Sequence, residues 1–127
     1  MTASTTSREL VQLAVNAADS KGATDPVAID VSEQLSFADA FLILTGRNER
    51  NVAAIADEIE DQLLQAGTKR LRREGRVDAR WVLLDFGDLI VHVFHEQERV
   101  YYDLERLWKD GASIEFTVPE PVPADER

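Results

Sequence analysis

Residues 79–108 read ARWVLLDFGDLIVHVFHEQERVYYDLERLW, and this stretch decides the fold. Two apolar runs, 81–86 and 89–94, flank the pair Gly87-Asp88. Glycine at the first position of a two-residue loop suits a type II′ turn, whose twist matches that of the strands on either side. Closing a hairpin there sets Phe86 opposite Leu89, Leu84 opposite Val91 and Val82 opposite Val93, one wholly apolar face. The other face pairs Trp81 with Phe94, Leu83 with His92 and Asp85 with Ile90, so it is mostly apolar too. A hairpin greasy on both sides needs a cover on each. Tyr101, Leu104 and Trp108 recur at helical spacing after the charged run 96–99, which predicts a third helix trailing the hairpin.

Outward from the hairpin, the bulk composition narrows the function classes. A chain of 127 residues is long enough for one domain with a core that needs no staples. Without cysteine it has no disulfide, thiolate metal site or cysteine nucleophile. A formal net charge of −10 argues against general nucleic-acid binding and against anionic membrane surfaces. The start, MTASTTSREL, lacks the basic and apolar segments of a signal peptide, and no apolar run approaches the ~20 residues of a membrane span. A cytoplasmic protein with a protein partner and no membrane contact is expected.

Residues 1–6 are expected to be disordered, residues 7–118 to form the domain, and residues 119–127 to be an acidic, proline-rich disordered tail. Thr6 and Glu9 have capping-box spacing ahead of a helix over 7–21, whose stripe is Leu10, Leu13, Ala14, Ala17 and Ala18 and whose stop is Gly22. This Ala-rich stripe permits close approach to a sheet or to another helix. Val27, Ile29 and Val31 alternate as one face of a first strand, and 40–44 is continuously apolar, as a central strand would be. Asn48 can cap a second helix over 49–65, with Val52, Ile55, Ala56, Ile59 and Leu63 inward and Asp57, Glu58, Glu60 and Asp61 outward. Residues 68–80 are the one basic stretch, and their start is read as a third strand with Leu71 inward. Strand, helix and strand over 40–73 read as a right-handed crossover unit. Ile114, Phe116 and Val118 alternate as a short edge strand. The fold class is therefore α+β: a single domain with a mixed sheet of roughly five strands and flanking helices.

Three constellations could carry chemistry or recognition. Asp85 and His92 share a face of the hairpin diagonally, near enough for a side-chain contact, with Asp88 at the turn. No serine on a strained turn completes a triad, and three groups without short-range spacing make a poor metal site. The turn Thr45-Gly46-Arg47-Asn48 leaves a strand and opens a helix, where backbone N–H groups could hold an anion, but one glycine fits neither phosphate-loop spacing. An ordinary strand-to-helix turn explains it as well. The basic run of Lys69, Arg70, Arg72, Arg73, Arg76 and Arg80 is compatible with RNA contact or with a solvated loop balancing nearby acids.

A tryptophan, the turn Asp85-x-Gly87-Asp88, the strand Ile90-Val91-His92 and the run Tyr102-Asp103-Leu104-Glu105-x-Leu107-Trp108 resemble the Iojap family of ribosomal silencing factors. Residues 38–46 and 50–57 fit the same pattern, so the resemblance spans about 7–108. It implies a nucleotidyltransferase-like topology without that chemistry, because Arg47 follows Gly46 where the enzymes carry serine, and no Asp-x-Asp strand follows. Ala40 also stands where an aromatic is common, and Arg47-Asn48-Glu49 replaces a more hydroxyl-rich turn. The function it implies is silencing of translation under nutrient limitation or in stationary phase, with no catalysis, cofactor or metal. Members bind the large ribosomal subunit through its protein L14 and block joining of the small subunit. Partner-binding residues expected on this basis are Trp81 and Phe86 as apolar anchors, Asp85 and Asp88 as acceptors, and Gly87, His92 and Tyr102 beside them. A homodimer through the hairpin or the Ala-rich helix is compatible with that role. The alternative from another class is a nucleotide binder or nucleotidyltransferase-like enzyme using Gly46, Arg47, Asp85 and His92.

Overall fold

In the computed structural model the described residues are 5–33, 35–36, 38–75, 80–101, 112–114 and 116–118. Helix α1 (Thr5–Ser20) leads into strands β1 (Thr24–Asp30) and β2 (Ala40–Gly46), followed by helix α2 (Glu49–Gln65). Strands β3 (Arg72–Glu74), β4 (Trp81–Asp85) and β5 (Leu89–His95), helix α3 (Glu96–Tyr101) and a two-residue strand β6 (Ala112–Ser113) complete the chain order. The strands form one mixed sheet ordered β3-β4-β5-β2-β1-β6. Only β2 and β5 run parallel, from Ala40 beside Leu89 to Gly46 beside His95; the other pairs are antiparallel.

The hairpin register is the one its apolar alternation dictates. Trp81 faces Phe94, Val82 faces Val93, Leu83 faces His92, Leu84 faces Val91 and Asp85 faces Ile90. The Phe86 N–H donates to the Leu89 carbonyl at 2.9 Å, closing the two-residue loop. Gly87 has φ +91°, whereas Asp88 is not in the left-handed region, which is the sign pattern of a type II′ turn. The Asp85 carboxylate accepts the Gly87 N–H at 2.8 Å and braces the same turn.

Both faces are covered, as a two-sided apolar hairpin requires. Ala40, Leu42, Leu44, Val82, Leu84, Phe86, Leu89, Val91 and Val93 turn to α1 and α2. Those helices supply Leu10, Val11, Ala14, Val15, Ala17 and Ala18 from one, and Val52, Ile55, Ala56, Ile59 and Leu63 from the other. The alanines on α1 are consumed by this packing within the protomer, so they are not a free dimer face. Ile29, Val31, Phe41, Ile43, Ile90 and Phe94 build a second cluster on the opposite face, with Val27, Leu35, Trp81 and Leu83 at its margin. Helix α2 begins where expected, with the Asn48 side chain accepting the Asn51 N–H at 2.7 Å.

Four expectations are corrected. Helix α1 starts at Thr5, so Thr6 lies inside its first turn instead of capping it, and the buried Ser7 hydroxyl donates to Asp39 at 3.0 Å. Leu71 is 70% exposed and precedes β3, where it lies beside the turn at Gly87. Arg73 points toward α2 in its place. The edge strand is β6, paired with β1 at Ile29 and Asp30. Residues 116–118 leave the sheet, and the Thr117 N–H and carbonyl bond the Gln12 amide of α1 at 2.8 and 2.7 Å. Finally, the charged run after the hairpin is itself helix α3 and not a linker before it. Of the predicted third-helix stripe, Tyr101 ends α3, while Leu104 and Trp108 lie outside the described residues, as do 1–4 and 119–127.

Candidate functional site

The C-terminal ends of β2 and β5 lie side by side, so the start of β4 is carried to the same end of the sheet. Trp81 sits there, half-buried, on the face away from α1 and α2. Its indole stacks on Phe94 with ring centres 4.8 Å apart and planes at 29°. The indole N–H donates to His92 Nδ1 at 3.1 Å. The His92 ring meets Phe41 edge-on at 5.0 Å and is 5% exposed. Burial pushes its pKa from 6.5 to about 4, so the ring is neutral at pH 7. With Nδ1 accepting, the proton belongs on Nε2, a buried atom with no hydrogen-bond partner among the described residues. Burying a donor unsatisfied is costly, and the aromatic packing around it must offset that cost.

Beside Trp81 opens a hollow of about 280 Å³ lined by Glu74, Gly75, Trp81 and Leu83. Gly75 shapes it. Its φ is +86°, and a Cβ there would lie 1.9 Å from the Trp81 carbonyl oxygen. Only glycine lets the backbone after β3 come so near. Nothing in the sequence around Gly75 signals this role, because the backbone it approaches, at Trp81, lies six residues on across a strand pair.

Arg80 fixes the backbone entering the site. Its guanidinium donates to Glu98 at 2.9 Å, Glu49 at 2.9 Å and Gln97 at 3.0 Å, while its carbonyl accepts the His95 N–H at 2.8 Å. The hydrogen bond to Glu98 holds the Arg80 pKa above its usual value. Glu49 is lowered first by its own backbone N–H at the start of α2, and then by His95 and Arg80.

The expected partner-binding residues do not form one patch. Phe86 is 7% exposed and packs with the helix-side core, because residues 82, 84 and 86 share one parity; the expectation of an accessible ring at the hairpin tip is corrected. Asp85, Gly87 and Asp88 sit at the turn, four residues along β4 from Trp81, or roughly 13 Å. Asp85 bonds its own turn and lies 4.0 Å from Arg72, not against His92, so the Asp85–His92 contact is corrected as well. Asp88 is exposed, and its carbonyl accepts the N–H groups of Asp39 and Ala40. Tyr102 lies outside the described residues.

The alternative constellation is not assembled. Gly46 pairs with His95, whereas Asp85 pairs with Ile90 and through it reaches Phe41, five residues back along β2, or roughly 17 Å. The turn at Gly46 is closed by its own side chains: the Arg47 N–H donates to the Asn51 side chain at 3.0 Å and the Asn51 N–H to the Asn48 side chain at 2.7 Å. A Cβ on Gly46 would stand 2.7 Å from the Val52 side chain, so this glycine serves the packing of α2.

The basic run mostly balances acids. Arg70 meets Glu60 at 3.0 Å, and Arg72 meets Glu74 at 3.5 Å. The Arg73 side chain, only 6% exposed, meets Asp57 at 2.7 Å and Glu60 at 3.2 Å. Burial lowers the Arg73 pKa, but the hydrogen bonds to Asp57 and Glu60 outweigh it and hold the pKa above the ordinary value.

Comparison with known proteins places this architecture in context. A family profile described as "Ribosomal silencing factor during starvation" matches residues 4–127. A ribosomal silencing factor of Halalkalibacterium halodurans is 48% identical over 109 residues, covering 86% of this chain and 93% of that protein. One from Bacillus subtilis is 44% identical over 111 residues, covering 86% and 94%. The crystal structure of a Chromobacterium violaceum protein superimposes with a TM-score of 0.79 at 31% identity, covering 93% of this chain and 92% of that one.

Proposed function

Because this chain belongs to the ribosomal silencing factor family, we propose that it binds the large ribosomal subunit and prevents the small subunit from joining it. The contact is made with the subunit's protein L14, in the cytoplasm, and no bond is made or broken. The observation that carries the reading is Trp81: a half-buried indole held by Phe94 and His92, beside an open hollow. A rigid aromatic with its orientation already fixed loses little entropy on docking, and it suits the centre of a protein interface. Steric exclusion needs only such an anchor and a polar surround that sets register.

Sedimentation of purified large subunits with the protein tests this. Trp81→Ala, which removes the indole from a residue that is not part of the sealed core, is expected to weaken binding at least thirtyfold, the effect of losing a contact of about 2 kcal/mol. Unchanged co-sedimentation of the folded variant sinks the assignment of Trp81. Normal pairing of the two subunits in excess wild-type protein sinks the reading of function.

A further inference from the structure

On the helix side of the same end of the sheet, α1 ends and α2 begins next to one another. The Asn51 side chain ties them, donating to the Lys21 carbonyl at 2.7 Å. Between them lies an open cleft of about 270 Å³ lined by Lys21, Arg47, Asn48, Arg50, Asn51 and Ala54. Three of these six residues are cationic and none is acidic, in a chain whose formal net charge is −10.

The pairing of these cations differs from that of the described arginines of the basic run. Arg70, Arg72, Arg73 and Arg80 all face carboxylates at 4.0 Å or less. Among the described residues, the guanidinium groups of Arg47 and Arg50 have no ion-pair or hydrogen-bond partner, although both side chains stand at the surface. Lys21 reaches only Glu58, at the 4.0 Å limit. Arg47 is held over the end of α1, its guanidinium 3.1 Å from where a Cβ on Gly22 would lie. The N–H groups of Arg47 and Asn51 are already used by the Asn51 and Asn48 side chains. The charge offered to an anion here comes from the three side chains. Of the outward acids of α2, Glu49 is drawn to Arg80 at 2.9 Å, while Asp57 and Asp61 lie about two turns further on and would repel polyanion from the rest of that helix.

We infer that the cleft of Lys21, Arg47 and Arg50 grips the phosphate backbone of ribosomal RNA while Trp81 engages protein. This rests on the large-subunit reading above and moves the RNA contact away from residues 69–80, whose described arginines, Arg70, Arg72, Arg73 and Arg80, already face carboxylates. The two surfaces share one end of the sheet and are joined by the Arg80–Glu49 ion pair, so a single approach engages both. Surface phosphates supply register without sequence choice, and the acidic remainder disfavours other RNA sites.

The test titrates labelled protein onto purified large subunits between ~50 and ~200 mM salt. Each phosphate contact contributes close to one unit of slope in log affinity against log salt. The triple variant Lys21→Gln, Arg47→Gln, Arg50→Gln is expected to flatten that slope by about two to three units and to bind at least tenfold more weakly at low salt. Arg47→Lys with Arg50→Lys keeps the slope, and Trp81→Ala lowers affinity without changing it. An unaltered slope in the triple variant overturns the inference. A second arm separates it from the silencing reading: backbone amide shifts of the free protein on adding a short RNA duplex at low salt. Shifts at Lys21 and at 47–51 that vanish in the triple variant support the cleft even where the wild type fails to bind subunits, a result that removes only the silencing reading. Absent shifts overturn the cleft. Inorganic phosphate binding as tightly as the duplex also overturns the RNA assignment, in favour of a free-anion site.

Discussion

His92 gives the sharpest quantitative expectation. Its ring is 5% exposed and its pKa stands at about 4, against 6.5 for the ordinary side chain. The folded state therefore binds the proton less well than the unfolded chain does, and stability is full above pH 6.5 and falls as the pH drops toward 4. At about 1.36 kcal/mol per unit, the whole window corresponds to about 3 kcal/mol, and the step from pH 7 to pH 5 to about 2 kcal/mol. His92→Phe removes the titration and keeps a ring of similar size. At pH 7 two effects oppose: a hydrogen bond worth about 1 kcal/mol from the Trp81 indole is lost, and the unsatisfied Nε2–H disappears. The variant is thus expected within about 1 kcal/mol of wild type at pH 7. Urea unfolding followed by tryptophan fluorescence at both pH values isolates the effect, since carboxylate titrations cancel between the two proteins. Wild type should lose about 2 kcal/mol more than the variant on going to pH 5. Parallel losses would refute the burial of a neutral imidazole and, with it, the account of how Trp81 is held.

Three further outcomes follow from the packing. Phe86→Ala should destabilise by about 3–5 kcal/mol in urea unfolding, because it empties a core site, while the fraction that remains folded binds large subunits normally. Gly75→Ala should lower stability by more than 1 kcal/mol, since the added methyl meets the Trp81 carbonyl and the backbone must move, and should change the fluorescence of the nearby indole. Asp85→Ala should cost about 1 kcal/mol by removing the acceptor of the Gly87 N–H, with no effect on the environment of His92. A His92 resonance shift in that variant would restore the direct contact expected from sequence.

Much of this fold was legible in local patterns. The hairpin register, the doubly buried β2 and the bounds of α2 follow from apolar period, turn chemistry and a capping asparagine, all read within a few residues of each other. The errors lie where distant groups decide. Leu71 outranks Arg73 as an inward residue on any hydropathy scale, but acids of α2 sixteen and thirteen positions earlier draw the arginine in. At the hairpin tip, Phe86 was legible as a member of the apolar face with Val82 and Leu84; reading it as an exposed anchor ignored the reach of α2 and α1 over that face. The pairing of Trp81 with Phe94 was legible in the alternation, but its hydrogen bond to His92 was not: a face shared with His92 says nothing of which diagonal neighbour the imidazole will bond. Gly75 and the Lys21, Arg47 and Arg50 cleft depend on chain segments meeting across the fold, and no spacing in the sequence announces them.

The parallel seam between β2 and β5 also constrains how the molecule is made. Every residue of β2 meets a partner 49 positions later, from Ala40 with Leu89 to Gly46 with His95. During synthesis, the first two helices and first two strands emerge with one long, mostly apolar strand edge bare until β5 arrives. A chain stopped after α2 is left with that open edge, a template for pairing with any other unfinished copy.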